Sequence, residues 1–348
     1  MTTSIFIGDP HFQVGNIPEV DIFLEKITKL AEERKPDFIV IGGDILHTHE
    51  RLHTTALNKA YELVDKMRKI SYTYVLVGNH DLENNQQFLT ERHWMNGMKE
   101  WENVSIVDKT ICNYINNEKF VFVPYVPPGR FQDALNVLSE TWSDASCIFA
   151  HQEFAGCKMG AIVSVEGDKW PEDYPEIISG HIHSRQIPQP NIYYTGSAMQ
   201  HAFGESEKNI IACLTFNIEG TYEKDEVDLC MPRKKIIYKD VKELEDYVPT
   251  ETEDKVKVTV SGEYEEFKAL KKTKKYKQLI KEGVKVVFKP KKIEIKGKTS
   301  EREELKGEVD FRGILDVIVN NQADPYLTQA FELVLNGKET NTEDVIFL

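Results

Sequence analysis

The feature that most constrains this chain is a junction it repeats five times. A short apolar run stops, usually at glycine, and a carboxylate, amide or imidazole follows at once. The clearest case is Phe38-Ile39-Val40-Ile41-Gly42-Gly43-Asp44-Ile45-Leu46-His47, whose unbroken apolar start marks a strand buried on both faces. The same ending recurs where Ser4–Ile7 meets Gly8-Asp9-Pro10-His11 and where Tyr74–Val77 meets Gly78-Asn79-His80-Asp81. It recurs again where Cys147–Ala150 meets His151, and where Ile177–Ser179 meets Gly180-His181-Ile182-His183. A chain of this kind is committed to sheets whose strand ends share one edge, the place where open α/β sheets form their binding crevices.

Helices separate the runs. Val20, Phe23, Leu24, Ile27, Leu30 and Ala31 recur at helical spacing until Lys35-Pro36 stops them, and Leu57, Ala60, Tyr61, Val64 and Met67 share one helical face. Shorter strands are expected at Val104–Val107, Phe120–Val123, Ile192–Tyr194 and Ile210–Phe216. This alternation predicts an α/β sandwich with helices outside packed sheets over residues 1–232. Past Pro232 the pattern changes. Val256, Val258 and Val260 alternate with polar residues, a lysine-rich helical stretch is expected from about Tyr264 to Lys281, and Val284–Ile295 alternates again, so 233–298 reads as a small α/β cap domain. In 299–348, Phe311, Ile314, Leu315 and Ile318, then Leu327, Ala330, Phe331 and Val334, lie at i, i+3, i+4, i+7. Asp310 and Asp324-Pro325 suit the two starts, and a C-terminal helical hairpin is expected.

Net charge is −14, which alone opposes a polyanionic partner, yet residues 255–298 carry 15 Lys against 5 Glu. That segment is therefore +10 and the remainder about −24. Five cysteines form no CxxC pair, against a disulfide scaffold or zinc ribbon. No window approaches the roughly 20 apolar residues of a spanning helix, and the first strand begins almost at the first residue. The expectation is an intracellular, cytoplasmic protein with no membrane association.

The five junctions carry the donors of a two-ion cage: hard oxygens, imidazoles, and in Asp44 a carboxylate able to touch both ions. Asp9/His11 and His181/His183 are i, i+2 pairs, which in extended chain point to one side. Mixed N/O ligation suits manganese first, with magnesium, iron or zinc also accommodated. His80 stands apart, placed to stabilise phosphoryl oxygens or protonate a departing alkoxide, with Asp81 expected to fix its tautomer.

In this order DPH, GGD, GNHD, a lone His and GHIH are similar to the calcineurin-like metallophosphoesterase superfamily over roughly residues 4–217. The resemblance implies a sandwich of two packed mixed sheets flanked by helices. It also implies two metal ions, with Asp9, His11 and His183 on one, Asn79, His151 and His181 on the other, and Asp44 bridging. His47 in the GD-x-x-H form, Ala150-His151-Gln152, and Tyr194-Thr195-Gly196-Ser197 followed by Phe203-Gly204-Glu205 resemble the Mre-eleven/SbcD repair nucleases. This narrower resemblance implies a manganese-dependent nuclease, exonucleolytic from 3′ ends and endonucleolytic on single strands. It also implies a DNA-contacting cap and a coiled-coil ABC ATPase, SbcC or Rad-fifty, docked on the C-terminal helices. Met199-Gln200-His201-Ala202 departs from that family's more polar or basic loop.

Several readings stay open on sequence. His47 either orients substrate or serves as an outer hydrogen-bonding partner. Lys271, Lys272, Lys274 and Lys275 are either a solvated helix face or a DNA phosphate contact, the latter favoured by their sign. His49, His53, His93 and His201 are assigned surface or packing roles. A homodimer is expected through Leu57–Met67 or Phe88–Trp101. The competing functions are a phosphatase or cyclic-nucleotide phosphodiesterase of the same superfamily, and a scaffold that binds DNA or an ATPase without catalysis.

Overall fold

Strand β1 (Thr2–Ile7) shows how the core is built. Both of its sides are apolar and both are used. Ile5 and Ile7 cluster with Val20, Phe23 and Ile27 of helix α1 (Ile17–Arg34), whereas Phe6 enters a cluster between two sheets. The same alternation runs through β2 (Phe38–Ile41) and β3 (Tyr72–Leu76), which are followed by β4 (Val104–Val107). Helix α2 (Thr54–Arg68) covers the outer face beside α1, burying Ala56, Ala60, Leu63, Val64 and Met67. As expected, Pro36 ends α1: Lys35 turns left-handed at φ 46° and donates its N–H to Ala31 O at 2.9 Å.

The structure is a computed structural model. It describes residues 1–290 apart from 50, 207, 218–220 and 250–252, and beyond them only Leu315, Val319, Leu327 and Phe331, each in helical backbone. Residues 1–291 and 292–348 are separate units. Apart from those four residues, the hairpin expected in 299–348 lies outside the described residues.

The second sheet begins with β5 (Ile111–Ile115) and β6 (Glu118–Val123), continues after α3 (Phe131–Leu135) with β7 (Cys147–His151), and, past a hairpin of β8 (Lys158–Met159) and β9 (Ile162–Val163), adds β10 (Ile177–Gly180), β11 (Gln186–Gln189) and β12 (Ile192–Tyr194). The chain then returns to the first sheet as β13 (Ile211–Phe216) and β14 (Tyr222–Val227). The orders are β14-β13-β1-β2-β3-β4 and β11-β12-β10-β7-β6-β5; the first is parallel from β1 to β4 with β13 and β14 antiparallel at one edge, and the second has a parallel centre with antiparallel β11 and β5 at its two edges. Between them Phe6, Phe38, Tyr74, Phe122, Phe149 and Phe216 form the central cluster, with Tyr74 stacked on Phe122 at 3.9 Å. At about 1.5–3 kcal/mol per buried side chain, this aromatic layer is a main source of cohesion between the sheets. Val121, Val123, Ile148 and Ala150 point the other way, into a third cluster with Phe131 and Trp170. The expected α/β sandwich of two mixed sheets flanked by helices is therefore the fold observed.

The later strands β15 (Lys234–Asp240), β16 (Lys255–Gly262) and β17 (Lys285–Pro290) form a parallel sheet with its own core of Val256, Val258, Val260, Phe267 and Leu279. The lysine-rich helical stretch expected here forms two helices, α4 (Tyr264–Leu270) and α5 (Lys274–Lys281). The Thr273 hydroxyl caps α5 by accepting the Tyr276 N–H at 3.2 Å. In one straight helix Phe267 and Leu279 would stand about 120° apart. The break lets both enter one core. This sheet touches the sandwich where Lys234 N donates to Gln200 Oε1 at 2.7 Å and where Lys257 lies over Phe203. No described helix is long and apolar enough to cross a membrane.

Candidate metal centre

The five junctions meet at one edge of the sandwich, where β1, β2, β3, β7 and β10 end. Their backbone differs from the extended form expected for the i, i+2 pairs. Asp9, His11, Asp44 and His181 take positive φ of 39°, 47°, 49° and 80°. Each loop curls back over its strand end, so the side chains converge through left-handed turns, which Asp and His tolerate better than most residues. The glycines are needed because the ligands crowd the backbone. A Cβ on Gly78 would lie 2.2 Å from Asp44 Oδ1, and one on Gly43, itself at φ +98°, would lie 2.4 Å from His151 Nδ1.

Among the described residues three overlapping donor sets result, one of them around His80 and two matching the expected pair of ions. Ligand atoms of Asp9, His11 and His183 lie within 4.8 Å of one another, as do those of Asp44, His151 and His181. Asn79 joins the second set: its Oδ1 is 3.0 Å from His151 Nε2 and 2.8 Å from His181 Nδ1. Asp44 Oδ2 lies between the sets, 3.6 Å from His11 Nε2 and 3.4 Å from His151 Nε2. That is where a bridging carboxylate must be.

The residues fit divalent ions. Asp9 Oδ2 is buried and has no hydrogen-bond partner among the described residues. His11 Nε2 and His183 Nε2 face each other at 2.9 Å, so two imidazoles present nitrogens to one point. The far side of His151 is anchored, with Nδ1 2.6 Å from Gly42 O, which leaves its Nε2 toward the cluster.

Without ions the cluster stores protons. Burial raises the Asp9 carboxyl to about 6, the Asp44 charge adding to it. Burial opposes the charge on Asp44 as well, but His151 and His11 outweigh it and hold that carboxyl well below its usual range. His151 is disfavoured as a cation by burial, yet the Asp44 charge pushes it up to about 9. Burial drives His181 down to about 3. An ion must therefore displace the His151 proton. Because that proton is held below about pH 9, divalent-ion affinity is expected to rise with pH up to that value, with proton release on binding. Calorimetric titration of Mn2+ in buffers of different ionisation enthalpy measures this. Affinity that stays flat as the pH is raised toward the His151 value would contradict it.

The environment of His80 differs from expectation. Asp81 does not fix its tautomer. His80 Nδ1 lies 2.7 Å from His47 O, while the buried Asp81 carboxylate accepts N–H groups of Asp44 (2.8 Å) and Gly78 (3.0 Å) and the Trp94 indole N–H (2.9 Å). With the Leu46 N–H at 3.5 Å as a fourth donor, Asp81 faces the loop backbone, where it braces the Asp44 turn. His80 also lies near enough to His11 and Asp44 to count as a ligand by distance. The His47 ring reaches His11, Nδ1 to Nδ1 at 3.4 Å, so it borders the cluster and lends its carbonyl to His80.

Two residues assigned to surface or packing belong beside the site. The His49 ring stacks on His80 at 4.4 Å, and His201 Nε2 meets Asp9 O at 2.9 Å, its ring 4.8 Å from His11. Glu205 is a further addition, 3.6 Å from His183 Nδ1. Only the loop's position after the last ligand pair hinted at this. His93 does pack inside, against Asp108 at 3.1 Å. Lys271 and Lys272 occupy the α4–α5 joint and Lys274 and Lys275 the first turn of α5, with Lys271 over the Phe267 ring.

Known proteins resemble this chain in sequence. The calcineurin-like phosphoesterase model matches residues 2–214. The provisionally named phosphoesterase 244L of Invertebrate iridescent virus 6 is 53% identical over 278 residues, covering 78% of this chain and 97% of that protein. Its counterpart 078R of Invertebrate iridescent virus 3 is 50% identical over 291 residues, covering 82% and 83%. A more distant likeness, 25% over 177 residues and about half of each chain (49% and 46%), is to the DNA double-strand break repair protein Mre11 of Methanococcus maripaludis. Members of this family use divalent metals, and the donor sets described above suit them. The chain belongs to the calcineurin-like phosphoesterase family.

Proposed function

We propose that this protein is a manganese-dependent nuclease that hydrolyses phosphodiester bonds of DNA. The observation that carries the reading is the join between the metal centre and the lysine-bearing cap. Lys234 and Lys257 reach Gln200 and Phe203, in the same turn whose Glu205 stands behind His183. A polyanion lying across that join would meet the donor cluster and a cationic sheet together. The partial likeness to an archaeal double-strand break repair protein supports the same reading.

Asp9, His11 and His183 would hold one ion, Asn79, His151 and His181 the second, and Asp44 both. Such a pair supplies an activated water and neutralises the phosphoryl oxygens. The chain's own residues do the rest. Asp81 holds the Asp44 loop from behind. The His47 carbonyl keeps a proton on His80 Nδ1, which leaves Nε2 to exchange one with the leaving oxygen. We extend the proposal to 3′-to-5′ exonuclease and single-strand endonuclease action, to a homodimer, and to a coiled-coil ATPase partner held by the segment 299–348.

The test is cleavage of linear DNA beside hydrolysis of p-nitrophenyl phosphate and its bis-ester, each with manganese. DNA cleavage is expected, with affinity falling steeply as salt rises. Replacing Lys271, Lys272, Lys274 and Lys275 by Ala should flatten that salt dependence, by about 0.9 in log–log slope for each phosphate no longer neutralised, and leave bis-ester hydrolysis unchanged. Activity confined to the monoester would remove the nuclease reading and leave a phosphatase.

A further inference from the structure

Glu205 stands behind His183, on the side away from the other donors. His183 turns Nε2 toward His11, 2.9 Å away, while its Nδ1 lies 3.6 Å from Glu205 Oε1. The second carboxylate oxygen accepts the backbone N–H groups of His201 at 2.8 Å and Ala202 at 2.9 Å, which fixes its direction. The turn carrying it is tied at three points. His201 Nε2 meets Asp9 O at 2.9 Å, Gln200 Nε2 donates to Glu205 O at 3.2 Å, and Gln200 Oε1 accepts the Lys234 N–H of strand β15 at 2.7 Å. The Lys234 ammonium closes on the Gln200 carbonyl as well.

We propose that Glu205 is a positioning residue for the ion site of Asp9, His11 and His183, acting through the tautomer of His183. The inference rests on the two-ion reading above. A carboxylate only accepts, so the His183 nitrogen facing it is the one that carries hydrogen. With the proton kept on Nδ1, the Nε2 lone pair is free and aimed at the point that His11 Nε2 also faces. The 3.6 Å separation is ion-pair range, and at that distance the field of the carboxylate still decides which ring nitrogen is protonated. Outer partners of this kind orient metal-binding imidazoles and raise their basicity. Through Gln200 and Lys234 the brace continues into the three-stranded cap sheet, so the cap is mechanically tied to the ion site that His183 serves.

A turn-capping role alone would also explain two of the Glu205 bonds, and Glu205→Gln separates the explanations. The amide can keep its oxygen on the N–H groups of His201 and Ala202. It then offers an NH2 to His183 Nδ1, which must become the acceptor and push the proton to Nε2, where it blocks the ion. Mn2+ is titrated calorimetrically into the full chain and into the E205Q and E205A variants, with melting temperatures and 15N-histidine spectra of the ion-free proteins.

Wild type is expected to bind two ions. Both variants should keep one at wild-type affinity and bind the other about 10–100-fold more weakly. The His183 signal should move from the Nδ1–H to the Nε2–H form in E205Q, with melting unchanged. Two wild-type affinities in E205Q would overturn the proposal and leave the two-ion reading standing. Equal weakening at both sites with a lowered melting temperature would overturn it too, by making Glu205 a fold residue. A wild-type chain that binds no ion overturns the two-ion reading itself, and this inference with it.

Discussion

Asp44→Asn is expected to lower manganese-dependent hydrolysis by about 10⁴-fold or more, some 5 kcal/mol at about 1.4 kcal/mol per decade. The reasoning starts from position. Asp44 Oδ2 lies within 3.6 Å of imidazoles from both sets, so its neutralisation weakens both at once. The amide preserves shape and can still accept the His80 N–H that Asp44 Oδ1 receives at 2.8 Å. The ion-free variant should therefore fold. Loss of the attraction to His151 is offset in part because the Asp44 charge no longer repels Asp9 and Asp81, both of which it helps push upward. What disappears is stabilisation by the ion. Wild type should gain about 4 kcal/mol at an ion concentration a thousand-fold above Kd, and D44N little or none. Scanning calorimetry with EDTA and with manganese reads both numbers. An ion-induced stabilisation in D44N equal to that of wild type would place the bridge elsewhere.

Much of this site was legible in the sequence because its information is local. Each ligand follows an apolar run and most sit beside a glycine that leaves them room, so the strand end and the donor are read together. The central strands were legible for a related reason: Phe38–Ile41 and Cys147–Ala150 are apolar at every position because two clusters claim alternate side chains. What escaped depends on direction or on distant partners. The left-handed turns at Asp9, His11, Asp44 and His181 carry no composition signal, since the residues that adopt them are the ligands themselves. Asp81 looks like the partner of His80 because it is adjacent, yet four donors from other residues claim it. Edge strand β14, Tyr-Glu-Lys-Asp-Glu-Val, reads as a charged loop, the disguise by which edge strands avoid pairing with other chains. His201 and Glu205 reach the cluster only because β13 returns to pair with β1, a pairing that spans about two hundred residues of chain.

His80→Asn separates binding from chemistry, and a loss of about 10²–10⁴-fold in kcat is expected with both ions still bound. The geometry limits what His80 can do. Its Nδ1 is engaged by the His47 carbonyl at 2.7 Å, so proton exchange with a leaving oxygen is confined to Nε2. Burial holds the ring below the usual histidine range and the Asp44 charge counteracts it only in part, so the protonated form is readily given up. An alkoxide leaving from DNA needs that proton, and p-nitrophenolate does not. The variant should therefore lose far more activity on DNA than on bis-p-nitrophenyl phosphate, and the ratio of the two losses is the decisive quantity. Equal losses on both substrates, with calorimetry showing one ion gone, would make His80 a ligand instead. Its proximity to His11 and Asp44 makes that the competing outcome, and the leaving-group comparison decides between the two. His49, stacked on the same ring at 4.4 Å, supplies an internal control: His49→Ala should loosen His80 without removing its nitrogen, and so cost a smaller factor in the same substrate order.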